Sequence, residues 1–128
     1  MFEKLEITAM AQAMASHAGA RLGAISQNMA NADTPGYKAR DVEDFTAFWK
    51  AGEAGGTMRS TRNGHQGNTP QIPAEIILAK SGASSPNGNS VSLETEMVKA
   101  VGVRQQHDMA LAIYRNTSAI IRASLGRR

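Results

Sequence analysis

The apolar residues of the first thirty or so positions fall on one stripe. Ile7, Ala11, Met14, Ala18, Leu22, Ile25, Met29 and Ala32 are separated by four, three, four, four, three, four and three residues. This is a heptad repeat with a single stutter, and it commits the segment to a helix whose buried edge lies against another helix. No proline precedes Pro35, and good helix formers dominate, so a helix is predicted over residues 1–32. Gly19 and Gly23 either weaken it or let another backbone approach closely. The other end of the chain repeats the pattern. His107, Leu111, Tyr114, Ser118, Ile121 and Leu125 run at four, three, four, three, four, and Ala110, Ile113, Thr117, Ile120 and Ser124 form a second stripe beside them. The helix start is marked by Ser92 as a cap and by Glu94 and Glu96 in the first turn, and Gly126 offers a stop.

Between these ends the composition changes. Residues 51–90 are rich in Gly, Ser, Thr and Asn, carry Pro70, Pro73 and Pro86, and hold one apolar cluster, EIILA at 75–79. That cluster reads as a short strand whose one visible candidate partner is the stretch near Val91. The expected fold class is therefore all-α: long N- and C-terminal helices paired as a coiled-coil-like hairpin, with a flexible, largely irregular middle segment. The organisation is an N-terminal helix over 1–32, a turn motif and middle over 33–90, and a C-terminal helix over 91–128, all one structural unit. Phe45, Phe48 and Trp49 are spaced for one face of a short helix. Two long helices bury one stripe against each other and leave a wide apolar face uncovered, so assembly with further helices is the functional class the pattern favours.

Other classes fare worse. The chain has no cysteine, which excludes disulfides and thiol chemistry. His17, His65 and His107 lie in three separate segments, and no metalloprotease, phosphate-loop or dinucleotide motif is present. No catalysis, cofactor or metal site is expected. A net charge of +3 and a pI of about 9.6 admit a nucleic-acid module as the alternative, through Arg59, Arg62 and the C-terminal arginines. Aromatic residues to stack on bases are scarce there, so nucleic acid is not the expected partner. Every long apolar stretch is interrupted before about 18 residues, so no membrane span is expected. Glu3 and Glu6 outweigh Lys4 where a signal peptide needs a basic start, so no cleaved signal is expected either.

One short passage is more specific. In NMANADTPGYKARD, residues 28–41, Asn31 is expected to close the helix in a left-handed conformation, and Pro35 pushes Thr34 extended. Pro35 and Gly36 fit the central positions of a type II turn, with Asn31 or Asp33 bonding back to nearby amides. This local account leaves Asn28 and Tyr37 unexplained. The pattern N-x-A-N-x-x-T-P-G-Y strongly resembles the N-terminal signature of bacterial flagellar rod and hook proteins, matched by Asn28, Ala30, Asn31, Thr34, Pro35, Gly36 and Tyr37. Lys38, Ala39, Asp41 and Phe45 after it, and Asn87, Gly88, Asn89, Val91, Glu96 and Met97 at the second helix, resemble the FlgB type in particular.

The resemblance implies a structural subunit of the flagellar basal body, forming the proximal rod by helix–helix packing with neighbouring axial subunits. The implied partners are other rod subunits, copies of itself, the rod-base adaptor FliE and, during secretion, the type III export apparatus. The implied location is the rod in the periplasm, reached without a cleaved signal peptide. The residues expected to pack subunits together are Ala18, Leu22, Ile25, Met29, Met97, Leu111, Tyr114, Ile121 and Leu125. Asp108, Arg115 and Arg122 share one helix face; a solvated stripe is the expected reading, and pairing of its arginines with Asp41, Glu43 and Asp44 of a neighbour is the alternative. Another axial rod protein of the same family is the nearer alternative, but distal members carry a larger β-rich insert for which this chain has no room.

Overall fold

A computed structural model of the chain describes residues 2–54, 76–78 and 84–126. In chain order the elements are α1 (Phe2–Ala30), β1 (Arg40–Val42), α2 (Phe45–Ala54), β2 (Ile76–Leu78) and α3 (Leu93–Ser124). The molecule is mostly helical, and its long N- and C-terminal helices pack against each other, as the heptad spacings require. Asn28 of α1 meets Glu96 near the start of α3, while Ala18 and Ile25 reach Val103, so the two helices run antiparallel. At 29 and 32 residues they are about 45 Å long.

The seam in α1 is the expected one. Ala11, Ala18 and Ile25 are buried, with Met14, Leu22 and Met29 half-buried beside them; Ile7 is exposed. In α3 the buried line is Glu96, Val103 and Ala110, one residue per heptad. Ala110 belongs to the second expected stripe, and Glu96 and Val103 precede both. His107, Leu111, Thr117, Ser118 and Ile121 flank the buried line half-buried, whereas Ile113, Tyr114, Ile120 and Leu125 point out to solvent. Ala110, with almost no side chain, lets the two helices close in, and the bulkier residues on either side are pushed to the rim.

The connecting chain is more structured than its composition suggests. Phe45, Phe48 and Trp49 do share a face, in α2, and two of them enclose His17: its ring lies 5.5 Å from Phe45 and 5.3 Å from Phe48. Its Nε2 donates to the Glu43 carbonyl at 2.7 Å. The apolar 76–78 cluster is a strand, but it pairs antiparallel with β1, Asp41 opposite Ile77, and not with the stretch near Val91. Residues 89–91 are committed elsewhere, as described below. Most of the segment expected to be irregular, 55–75 and 79–83, lies outside the described residues, as do Arg59, Arg62 and His65.

Gly19 and Gly23 sit mid-helix on the side of α1 away from α3, and a methyl group built on either meets nothing within 4 Å. The protomer has no steric use for them. Gly19→Ala and Gly23→Ala are each expected to stabilise the isolated chain by about 1 kcal/mol, the helix-propensity difference. Thermal unfolding followed by circular dichroism checks this; an unchanged or lower midpoint contradicts it.

Candidate functional site: the joint between the two helices

The motif at 28–41 and the Asn-rich turn at 85–89 are far apart in sequence and interlocked in space. Each is a tight turn built from residues suited to it. Thr34, Pro35, Gly36 and Tyr37 form a turn closed by the Tyr37 amide donating to the Thr34 carbonyl at 3.3 Å, with Gly36 at φ +72° in the third place. A positive φ there is the mark of a type II turn, as expected. Ser85, Pro86, Asn87 and Gly88 form the second, the Gly88 amide donating to Ser85 at 2.8 Å. The turns abut glycine to glycine. A Cβ on Gly88 would lie 3.5 Å from the Gly36 Cα, and the φ of +79° at Gly88 is itself one that side chains resist.

Two asparagine carboxamides and a carboxylate hold the turns to the helices. Asn28 is fully buried. Its Nδ2 donates to the Arg40 carbonyl at 2.6 Å and to Oε2 of Glu96 at 2.9 Å, while its Oδ1 accepts the Arg40 amide at 2.9 Å. One side chain thus satisfies both main-chain groups of Arg40 and one oxygen of a carboxylate that is 2% exposed. Lys99 donates to the other oxygen at 2.8 Å. Asn89, also buried, directs its Nδ2 at the carbonyls of Asn31, Ala32 and Thr34, at 3.0, 2.7 and 2.9 Å. These are main-chain acceptors of the reversal just beyond the last turn of α1; those of Asn31 and Thr34 also accept main-chain amides, from Thr34 and Tyr37. Asn89 therefore caps α1 from the far side of the sequence. Main-chain bonds from Gly36 to Asn87 and from Ser90 to Tyr37, with Lys38 donating to Gly88, complete the clasp.

Charge reinforces the same junction. Arg21 grips Asp41 with two bonds, Nε to Oδ1 at 2.9 Å and Nη2 to Oδ2 at 3.2 Å, and Lys99 stands 3.7 Å from the same carboxylate. Burial alone would raise the Asp41 carboxyl, but the Arg21 hydrogen bond, the Val42 amide and the two cations outweigh it and hold it below its ordinary value. Arg21 also reaches Asp44 at 3.9 Å, but that carboxylate is exposed and the contact adds little.

Several sequence expectations resolve here. Asn31 does not take a left-handed conformation, because no described non-glycine residue has positive φ. Tight amide bonds from Asn31 and Ala32 back to Asn28 and Met29 end the helix, and the reversal is left to Gly36. The Asn31 side chain donates to the Gln27 carbonyl and accepts from the Thr34 hydroxyl, rather than bonding amides ahead of it. Ser92 occupies the N-cap position of α3, but its hydroxyl makes no capping bond. Asp41 is bound within its own chain and is not free to meet the Arg115 face of a neighbour. Of the motif, Tyr37 hydroxyl lies 3.5 Å from the Asn28 carboxamide oxygen, while Pro35 and Gly36 shape the turn and Ala30 is exposed. Among the residues named for subunit packing, Ala18 and Ile25 are buried within the chain, Leu22, Met29, Leu111 and Ile121 are half-buried, and Met97, Tyr114 and Leu125 are exposed. The burial of Asn89 and Glu96, and the Asn28–Glu96 pairing, escaped sequence reasoning.

The polar side chains of this arrangement are bonded to one another and to the main chain. Among the described residues no three His, Cys, Asp or Glu side chains are placed to hold a metal ion. Nor is any described helix long and apolar enough to cross a membrane.

Two variants test the joint. Asn28→Ala leaves the Glu96 oxygen and both Arg40 groups short of partners, at an expected cost of about 3 kcal/mol in chemical denaturation; a cost near zero would show that water replaces the carboxamide. Asp41→Asn tests the charge. A carboxyl with a lowered folded pKa contributes stability in full above its unfolded value, near 3.9, and loses it as pH falls through the folded value. Asp41→Asn should therefore cost about 2 kcal/mol at pH 7 and flatten the acid-side decline below about pH 4. An unchanged acid profile contradicts the assignment.

No family model matches the chain. Known proteins that it resembles include the flagellar basal body rod protein FlgB of Agrobacterium fabrum, 25% identical over 119 residues, 89% of this chain and 88% of that protein. The FlgB of Escherichia coli strain K12 is 28% identical over 121 residues, 88% of each chain. That of Cereibacter sphaeroides is 31% identical over 104 residues, 80% of each. Identity at that level across four-fifths of both chains is decisive: the chain belongs to the FlgB family of flagellar basal body rod proteins.

Proposed function

We propose that the chain is a non-catalytic building block of the proximal rod, joined to its neighbours by helix packing. As a member of the FlgB family it is a structural subunit of the flagellar basal-body rod and associates with other rod subunits. The observation that carries the packing mechanism is the apolar surface left on α3. Although one side of that helix is buried against α1, Met97, Val98, Val101, Met109, Tyr114 and Leu125 remain exposed, Val98 at 75%. A helix with apolar residues around so much of its circumference is covered by more than one neighbour. In this reading Met97, Tyr114 and Leu125 face other subunits, while Ala18 and Ile25 hold the protomer together, and the half-buried Leu22, Met29, Leu111 and Ile121 contribute to both.

The finer assignments rest on the family resemblance of the motifs. The subunit sits at the membrane-proximal start of the rod, in the periplasm, with the adaptor FliE among its neighbours. It reaches that place through the flagellar export apparatus without a cleaved signal peptide. The nucleic-acid alternative is not favoured, since the relatives found are rod proteins.

The test is complementation of swimming in a strain lacking its own copy of the chain. Met97→Glu with Tyr114→Glu is expected to abolish motility and rod assembly while leaving the helical content of the purified chain unchanged. Ile25→Glu serves as the contrast, since it should unfold the protomer itself. Normal swimming by the Met97/Tyr114 variant would remove the packing role of this surface. Co-purification with FliE, lost in the same variant, would extend the reading to that partner.

A further inference from the structure

We infer that the outer face of α3 docks on the outer face of α1 in a second copy of this chain, so that protomers join through two different surfaces. This rests on the assembly reading above and specifies which faces meet. On the side of α3 away from α1, Val98, Val101, Met109, Ile113 and Ile120 are exposed, the first two at 75% and 70%. They are bulky, and the positions among them on this side, such as Gln105, Ala112 and Ala119, carry no charge. Asp108 borders the band beside Val101 and Ala112, and Arg104, Arg115 and Arg122 follow the same edge further out.

The outer face of α1 is its complement. Ala9, Ser16, Gly19, Gly23, Ser26 and Ala30 are all exposed and spaced seven, three, four, three and four residues apart, with Gln12 filling the remaining heptad position. From Ile7 to Ala30 the sole charged residue is Arg21, and it is bound to Asp41. A helix face turned permanently to water carries Lys and Glu and gains from alanine over glycine. This one does neither, and the space above Gly19 and Gly23 is open. Small residues at heptad spacing form a shallow trough that lets a second helix approach closely, which gives the two glycines a purpose outside the protomer.

The two surfaces match in length, polarity and relief. Ala9 to Ala30 spans about 32 Å and Val98 to Ile120 about 33 Å at the helical rise. The centre of neither face carries a charge, and Asp108 and the arginines at the edge of the α3 band stay at the rim, in reach of water. Pairing α3 with α3 would instead crowd the arginine edges of two copies, and pairing α1 with α1 would leave the apolar band wet. A contact between unlike faces does not terminate at a dimer; it closes a ring or continues as a helix. Protomers in such an array keep one direction, so α1 lies antiparallel to the partner's α3 and Gly19 falls opposite Met109.

The absence of cysteine allows a clean test on the full chain. Gly19→Cys and Met109→Cys variants are oxidised separately and as an equimolar mixture, at concentrations where wild type sediments as an oligomer. The mixture should form the mixed disulfide dimer, and neither variant alone should cross-link appreciably. Homodimers of either variant, or no cross-link in the mixture, would overturn the pairing. Independently, Gly19→Leu with Gly23→Leu fills the trough at two positions where a Cβ meets nothing of the protomer within 4 Å. It should retain helicity and thermal stability yet weaken self-association about tenfold or more, as read by sedimentation equilibrium. Undiminished association, or a wild-type chain that stays monomeric, would also overturn it. Swimming separates the two readings: a Gly19/Gly23 double variant that associates and swims like wild type removes this contact and leaves the rod assignment standing.

Discussion

The Asn28 carboxamide ties together the elements that meet at the closed end of the hairpin. It is the one buried group that touches all three parts of the joint: α1 on which it sits, the main chain of Arg40 where β1 begins, and Glu96 at the start of α3. A carboxamide is suited to this because it donates on one side and accepts on the other, matching a peptide unit edge to edge. Aspartate lacks the donor, and glutamine at the same place is longer by a methylene. Serine has one short arm. The position tolerates little else. Because Glu96 is buried and Lys99 bonds its second oxygen, loss of Asn28 would spread into the Lys99–Asp41–Arg21 group as well.

The hairpin is therefore asymmetric. Its closed end is fixed by directional hydrogen bonds of defined geometry, while the rest of its length is held by small apolar contacts. Of the eight buried apolar residues described, five are alanines, with Ile25, Val42 and Val103 the larger ones. Alanine contributes little area, so apolar burial per residue is modest. Alanine seams do bring helix axes close together and allow sliding along the axis, since few knobs lock the register. The register here is set at the joint instead, by Asn28 on Glu96 and Asn89 on the end of α1. Division of labour of this kind suits a part that must hold a fixed exit angle for its connecting chain while its helices adjust to neighbours.

The architecture was legible because it is periodic. Heptad spacing marked both long helices, and Pro35–Gly36 marked the turn between α1 and β1. The register within α3 was not legible, because apolar residues occur on nearly every side of that helix and periodicity alone cannot tell which side faces its partner. Val103 and Ala110 took the seam over the bulkier Tyr114 and Leu125 since small residues permit the closest approach. Glu96 misled for the opposite reason: an acid in the first turn of a helix has a sufficient local explanation, its favourable interaction with the dipole, and nothing in the sequence signals a buried asparagine 68 residues away. Asn28 left a trace, as a residue the turn could not account for. The pairing of β1 with β2 rests on non-local contacts that no spacing encodes.

What the protomer lacks explains what the family is for. A chain whose core is mostly alanine, whose largest exposed apolar residues lie on its longest helix, and whose other long helix shows a smooth uncharged back is incomplete as a folded object. Conventional monomers avoid this state by charging their outer faces and enlarging their cores. Here the outer faces have kept the polarity and relief of interior surfaces, so the apolar burial missing from one protomer becomes available when it meets others. In the proposed assembly the polar joint presents the two long helices to their neighbours already aligned.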